Sequence, residues 1–322
     1  VRTWEEWLKS AKRIFLQIEM KRGVRFLHRF LRSIGFSRLT STKAIQELIK
    51  DVILHADSRN YTTDREKEDT VLVEFCRNFA DNMGIAVCGE MDDEDHFIYY
   101  YFYPYLRGSG ISSMEDISIE RHAATESYAG VCDDVKVGVT LIFYLQNMIS
   151  YIKYRNRDAL PVKGTSLTLS ALAEQGSIMM PIRKSEKQKR KIQRSSITRS
   201  QLIEAARRGD EDAIESLTLE DMDTYTAISR KIQQEDVFSL VDTYFMPYGV
   251  ECDQYSILGE IQECRSVNNR LTGEKIWLMT LECNDLTFDV CINGADLFGE
   301  PVAGRRFKGV IWLQGAVNYP GE

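Results

Sequence analysis

Residues 305–317, RRFKGVIWLQGAV, are the stretch that decides the fold. The run is rich in β-branched and aromatic residues, which favour a strand over a helix. Gly309 and Gly315 interrupt it, and a glycine inside a strand indicates a bend or the close approach of another group. We therefore predict a long final strand that is kinked at its two glycines.

Three further strands precede this one, at residues 255–267, 274–283 and 286–292. Short turns separate them, as in an antiparallel meander, and a helical turn at 296–298 leads to the final strand. Three meander strands, a helical crossing and a kinked closing strand resemble a small OB-like barrel. We place this barrel at residues 237–322 and expect it to fold alone.

The chain before the barrel predicts helices followed by antiparallel strands. Apolar residues first recur at helical spacing and then alternate with period two. The segments are helices at 30–34, 42–52 and 66–82, hairpins at 85–103 and 165–182, and a strand at 135–146. This order predicts an α+β class with N-terminal helices and an antiparallel sheet, rather than a βαβ array.

The composition divides the chain into four parts. We predict an amphipathic helical extension at 1–26, an α+β domain at 27–182, a basic linker with a helical connector at 183–236, and the barrel at 237–322. The first part starts with Val1, where Met is expected. The purine-rich bases of a ribosome-binding site can encode residues 21–23, Lys-Arg-Gly. We therefore expect residues 1–26 to be a gene-start artefact.

The overall composition is that of an ordinary globular protein. The 322 residues are 43% hydrophobic and 28% charged, which excludes fibrous and disordered classes. No apolar run approaches the ~18 residues that span a bilayer, so we expect no transmembrane segment. Seven cysteines without a C-x-x-C pair argue against a disulfide framework and a zinc ribbon. A cytoplasmic location with reduced thiols is expected.

Charge alternates along the chain in four blocks. Basic residues outnumber acidic ones 12 to 4 in residues 1–50 and 10 to 2 in 183–208. Acidic residues outnumber basic ones 21 to 11 in 51–182 and 21 to 8 in 209–322. Each basic block therefore has an acidic neighbour in the same chain, and phosphate would be repelled by the C-terminal block. Nucleic acid is for this reason a disfavoured partner.

One stretch is dense enough in polar groups to form a site, at residues 120–134. A nucleophilic or carboxylate metal site could be built from it, although a polar-edged hairpin explains the same composition. The members of this speculative polar cluster are Arg121, His122, Glu126, Cys132, Asp133 and Asp134. We assign no catalytic, cofactor-binding or metal-binding residue, because no nucleotide, zinc-protease, calcium-loop or hydrolase motif occurs. No cofactor is expected.

Hairpin geometry argues against catalysis by this cluster. If 117–128 and 131–146 are strands joined by a tight turn at Ala129 and Gly130, Cys132 faces Ser127 or Tyr128. His122 then lies five or six residues farther from the turn, or roughly 16 to 20 Å at ~3.3 Å per residue. A catalytic pair must come within about 3 Å, so His122 cannot serve Cys132 in this register.

Four segments resemble a known family. They are FLRSIGFS at 30–37, ERHAATESYAGVCDDVKVGVTLIFYLQ at 120–146, FSLVDTYFMPYGVECDQYSILGEI at 238–261, and RRFKGVIWLQG at 305–315. Together they resemble an uncharacterised family of Firmicutes (clostridial) proteins known only as a domain of unknown function. The resemblance covers about residues 27–322. It implies no reaction, cofactor or partner, so it transfers no functional residue.

Three functional hypotheses follow. The leading one is a noncatalytic cytosolic protein, partner-binding or regulatory, that binds an unknown protein through its aromatic-rich sheet or its acidic barrel. The second is an enzyme or metal-binding protein centred on residues 120–134. The third is nucleic-acid binding through the basic linker and the OB-like domain. Whether the protein is an enzyme stays open at this point.

Overall fold

A computed structural model gives the fold of most of the chain. It describes residues 28–64, 67–91, 96–121, 127–134, 137, 139–182, 198, 201–202, 205–206, 208–219, 222 and 241–321. The predicted N-terminal helix and the basic linker up to residue 197 lie outside these residues. None of the helices in the described ranges is both long and apolar enough to cross a bilayer.

Two of the predicted N-terminal helical segments are confirmed. A 3-10 helix, η1 (Arg29–Ile34), ends at Gly35, whose φ of 90° lies in the left-handed region. The helix α1 (Thr42–Leu54) begins after Ser41, whose hydroxyl accepts a hydrogen bond from the Ala44 amide. Its buried residues are Ile45, Leu48, Ile49 and Val52, the apolar positions that the sequence places on one face.

The third predicted helix, at 66–82, is wrong, because these residues form a strand. A four-stranded antiparallel meander contains β1 (Ser58–Asp64), β2 (Lys67–Ala80), β3 (Met83–Met91) and β4 (Phe97–Leu106). Val71, Phe75 and Phe79 are spaced by four, which fits one face of a helix and equally one face of a strand. Consecutive residues 72–76 are all buried, so no polar alternation revealed the strand. The predicted hairpin of β3 and β4 is confirmed.

The remaining elements build a second, larger sheet. These are β5 (Ile117–Arg121), β6 (Tyr128–Cys132), β7 (Leu141–Leu145), α2 (Met148–Asn156), β8 (Ser166–Met179), β9 (Tyr244–Pro247), β10 (Gln254–Asn268), β11 (Lys275–Cys283), β12 (Leu286–Asn293), η2 (Gly294–Asp296), β13 (Leu297–Phe298) and β14 (Arg306–Asn318). The predicted three-strand meander, helical turn and closing strand are thus confirmed as β10 to β12, η2 and β14. Residues 211–219 form a further helix in the connector.

Five strands close into a barrel, in the order β8, β12, β11, β10, β14 and back to β8. Its β8 is parallel to β12 and antiparallel to β14. Beyond the barrel, β14 pairs with β7, and β6 and β5 extend the sheet from there. The predicted α+β class with a small C-terminal barrel is confirmed. The fifth barrel strand, however, lies before the linker in sequence.

The predicted hairpin at 165–182 is wrong, because β8 is one continuous strand. Gly176 suggested a turn, but a Cβ atom there would lie 2.3 Å from the Phe307 ring. Gly309 faces the same ring, with 2.7 Å between a built Cβ and Phe307 Cζ. Both glycines therefore make room for an aromatic side chain in the barrel.

The predicted long strand at 135–146 is also wrong, since among the described residues of this segment only Leu141–Leu145 form a strand, β7. The register proposed for the neighbouring hairpin fails with it. Ile117 pairs with Cys132 and Arg121 with Tyr128, so Ala129 and Gly130 lie inside β6 instead of in a turn. A Cβ atom on Gly130 would lie 2.1 Å from Phe143, which explains the glycine by packing.

A buried amide network joins the four-stranded sheet to the barrel. Gln314, which is fully buried, donates to the Pro104 carbonyl at 2.8 Å and accepts from Gln146 at 2.7 Å. Gln146 also donates to the Leu106 carbonyl at 2.8 Å, and the Ser170 hydroxyl donates to that same carbonyl. Since β4, β8 and β14 all contribute, the network fixes the sheet against the barrel.

The close packing of Gly130 against Phe143 is testable. We expect Gly130→Ala to lower the free energy of unfolding by about 1–3 kcal/mol, the usual cost of overpacking. Gly110→Ala is the control, because a Cβ there meets nothing within 4 Å. Denaturant titration measures both. In a Phe143→Leu background, Gly130→Ala should lower the free energy of unfolding by less than it does in the wild type. Equal losses in the two backgrounds would contradict the packing explanation.

The barrel's dependence on β8 gives a second test. The domain boundaries stay a prediction, but we now expect residues 237–322 not to fold alone, because they lack one of five barrel strands. An amide NMR spectrum of this fragment should be poorly dispersed, and a peptide of residues 164–181 should restore dispersion. Cooperative thermal unfolding of the isolated fragment would contradict this expectation.

Candidate functional site

The predicted polar cluster is partly assembled around a residue that sequence reasoning missed. Ser113 donates to Asp134 at 2.6 Å, and the Cys132 thiol lies 3.8 Å from the Ser113 oxygen. All three side chains are buried. Ser113 also pairs with Leu167 of β8 through an isolated bridge. These contacts hold the loop after β4 against β6 and β8, which is a structural role.

The chemistry of this cluster is that of a packed interior. Burial raises the pKa of the Cys132 thiol to about 11, so it remains protonated at neutral pH. Asp133 accepts a hydrogen bond from Thr140 at 2.6 Å, and Arg121 ends β5. His122 and Glu126 lie outside the described residues. Among the residues that are described, no group of three His, Cys, Asp or Glu side chains could hold a metal ion.

The aromatic-rich strand β4 packs inside the molecule. Tyr103 contacts Tyr144 at 4.7 Å between ring centroids, and Tyr144 contacts Trp312 at 5.2 Å. Phe30 of η1 stacks on Trp312, with 5.3 Å between the ring centroids. The aromatic residues of β4 therefore form an internal interface between the two sheets. They offer little surface to a partner.

A buried acid lies within this interface. Glu74 accepts from the Tyr103 hydroxyl at 2.9 Å and from Asn60 at 3.2 Å. Burial raises the pKa of Glu74, and these two hydrogen bonds oppose the rise only in part. Nothing in the sequence distinguishes Glu74 from a surface acid on a helix. Only the strand and its burial reveal it.

The acidic barrel exposes apolar side chains at β9. Met246, Tyr248 and Val250, which we call the β9 surface, have exposed fractions of 51%, 48% and 96%. Phe245 points inward and contacts Tyr255 at 4.6 Å. Pairing with β10 fixes one edge of β9, and no described strand pairs with its other edge. The β9 surface combines exposed apolar groups with an open strand edge.

A cleft also separates the four-stranded sheet from the outer wall of the barrel. We call it the interface cleft, and its volume is about 230 Å³. The turn between β2 and β3 and the segment 107–109 form one wall, and β10, β11 and β12 form the other. Its polar residues are Asp81, Asn82, Arg107, Ser109, Glu263, Arg265, Thr280 and Asp289. This is the candidate small-molecule site of the described residues.

Comparison with known families agrees with the resemblance seen in the sequence. The family described as "Domain of unknown function, E. rectale Gene description (DUF3881)" matches residues 31–315. The chain belongs to this family. No curated protein and no solved structure matches it.

The buried acid gives a pH-dependent test. Because folding raises the pKa of Glu74, the folded state holds this proton more tightly than the unfolded chain. The associated stability is present below about pH 4.3, the unfolded value, and is lost as the pH rises through the folded pKa. We expect Glu74→Gln to remove this loss, so that the stability of the variant relative to the wild type increases as the pH rises from about 4.3 toward neutral.

Denaturant titrations across this pH range measure the difference. Glu47→Gln is the matched control, because the Glu47 side chain is 63% exposed and pairs only with Lys50 on the helix surface. Its stability curve should run parallel to that of the wild type. A parallel curve for Glu74→Gln would show that Glu74 titrates alike in the folded and unfolded chains.

Proposed function

We propose that this member of DUF3881 is a noncatalytic cytosolic protein that binds a protein partner in a regulatory role. The observation that carries the proposal is the β9 surface. An unpaired strand edge with exposed apolar side chains is a site at which an extended segment of another chain can add as a strand. Main-chain hydrogen bonds would supply affinity there, and Met246 and Tyr248 would select apolar side chains.

The charge around β9 defines the partner further. Asp242 precedes the strand, and Glu251 and Asp253 follow its turn. Over residues 237–322 the chain carries 12 acidic and 6 basic residues. Charge complementarity therefore favours a partner segment that is extended, apolar at alternate positions and flanked by Lys or Arg. A second acidic chain would be repelled.

The enzyme hypothesis receives less support from the geometry. The thiols of Cys76, Cys88, Cys132, Cys283 and Cys291 are buried, and burial raises the pKa of each. Burial lowers the pKa of His28 to about 4, which leaves it neutral rather than poised near pH 7. These groups lack both the access and the ionisation that nucleophilic or acid–base catalysis requires.

Nucleic-acid binding through the barrel is also disfavoured. Trp312 is buried and donates to Asp253 at 2.6 Å. Lys275 covers the ring of Trp277, with 4.1 Å from Nζ to the centroid. Bases stack on aromatic rings that are open to solvent within a basic groove, and the acidic excess of the barrel opposes phosphate.

The β9 proposal is tested by site-specific cross-linking in the full chain. A photoreactive phenylalanine derivative replaces Tyr248 in native cytoplasm, and the control carries it at Ile111, which is 60% exposed elsewhere. We expect one protein to be cross-linked from position 248 and not from 111. Hydrogen exchange of the purified pair should then show protection of the β9 amides.

Met246→Lys tests the proposal by the affinity for the cross-linked protein. A lysine on an edge strand opposes strand addition and repels a basic partner, so we expect affinity for the cross-linked protein to fall at least about tenfold, or about 1.4 kcal/mol. Ile111→Lys should change it little. Equal affinity of the two variants would refute the proposal, and self-association abolished by Met246→Lys would assign the edge to a second copy instead.

A further inference from the structure

The interface cleft contains an arginine whose charge is not matched by an acid. The Arg107 guanidinium lies over the Tyr105 ring, 5.1 Å from its centroid. Within the described part of the chain, no carboxylate forms an ion pair or hydrogen bond with the Arg107 side chain. A guanidinium carries five N–H donors and stays charged at every physiological pH. Arg107 is exposed on the wall of the cleft, so these donors are accessible to an anion.

Three acids line the cleft: Asp81 and Asp289 are engaged with other groups, and Glu263 is exposed. Asp289 accepts from the Ser109 amide and hydroxyl at 2.8 and 2.7 Å, and from the Thr280 hydroxyl at 2.7 Å. Asp81 lies 3.2 Å from Arg270 and 3.8 Å from Arg265. These contacts bind the walls of the cleft to each other and leave Arg107 to face the space between them.

One interior acid acts on this charge without a hydrogen bond to it. Glu74 is buried and accepts from the Tyr103 hydroxyl, and its electrostatic effect favours the charged form of Arg107. The Arg107 guanidinium therefore keeps its positive charge on the exposed wall of the cleft, where it can attract an anion.

Arg107 is also held in position by its backbone. Its amide donates to the Asn82 carbonyl at 2.7 Å, and Asn82 itself adopts a left-handed φ of 56°. A Cβ at Gly108 would lie 2.6 Å from the Leu169 carbonyl, so only glycine lets this segment press against β8. The Tyr105 hydroxyl that orients the ring donates to Asn78 at 2.8 Å. Little rearrangement is needed to bind a ligand.

We propose that the interface cleft binds a small oxyanion, the carboxylate or phosphate group of a metabolite, through the guanidinium of Arg107. The buried side chains of Leu106 and Leu278 form an apolar floor for the ligand's carbon skeleton. Arg265, whose side chain is 56% exposed on the opposite wall, supplies a second cation that can turn toward the ligand. The volume of about 230 Å³ suits a small metabolite rather than a nucleotide.

The site is separate from the β9 surface, so each can fail without the other. Ligand binding would join the walls contributed by the four-stranded sheet and by the barrel. It would thereby stabilise the folded chain in proportion to ligand concentration. The proposal therefore has a thermodynamic readout that needs no knowledge of the natural ligand.

The full chain is titrated with inorganic phosphate and, separately, with acetate at constant ionic strength. Binding is followed by the NMR signal of the Arg107 side chain and by thermal unfolding. We expect one of the two anions to shift the Arg107 signal saturably and to raise Tm. The anion that does so identifies the oxyanion as phosphate or carboxylate. If neither anion shifts the signal, the proposal is wrong.

Two substitutions at Arg107 distinguish specific binding from general charge. Arg107→Gln should weaken binding at least about tenfold, and Arg107→Lys should weaken it less because the charge is kept without the planar fork. Arg157→Gln, an exposed arginine outside the cleft, is the control and should leave affinity within about twofold. If Arg107→Gln fails to fold, the anion affinity of Arg107→Lys is compared with that of the Arg157→Gln control instead. Equal affinities of wild type and the Arg107 variants would overturn the proposal.

Discussion

The hydrogen bonds between the side chains of Gln146 and Gln314 are the interaction on which the arrangement of this protein depends. Gln314 is fully buried, so each of its polar atoms must find a partner inside the protein or cost free energy. Its partners lie at the end of β4 and directly after β7. Because the amides fit only when both sheets are in register, they convert two separate hydrophobic faces into one defined interface.

The strand that carries Gln314 is also the centre of the larger sheet. β14 pairs along its length with β8, through residues 306–312 with β10, and at Gln314 and Gly315 with β7. Glycines on neighbouring strands leave space for two phenylalanines, Phe307 inside the barrel and Phe143 beside it. Backbone pairing and ring packing thus both converge on β14, which joins segments that are far apart in the chain.

This architecture leaves two kinds of accessible surface for function. Glu74 and the buried thiols are engaged in packing, and burial raises the pKa of each. The interface cleft and the β9 surface, by contrast, present an unmatched guanidinium and an open strand edge to solvent. They lie on parts of the barrel that closure by β8 holds in place.

The sequence by itself determined the class, the family and most local elements. The helix over 42–54, the β3–β4 hairpin and the whole meander from β10 to β14 follow from periodicity and turn residues, which are local properties. β2 was mistaken for a helix because spacing by four satisfies both periods when both faces are buried. Gly130 and Gly176 were assigned to turns, because the local sequence does not show that an aromatic ring from another strand packs against each of them.

Only the tertiary structure decided which distant segments meet. Closure of the barrel by β8 joins residues on either side of the linker, and the Cys132 thiol lies beside Ser113, which donates to Asp134. The unmatched charge of Arg107 likewise appears only once Asp81 and Asp289 are seen to be engaged with other groups. Composition determines how much charge and apolar surface a chain has, whereas the pairing of strands far apart in sequence determines which groups remain without a partner.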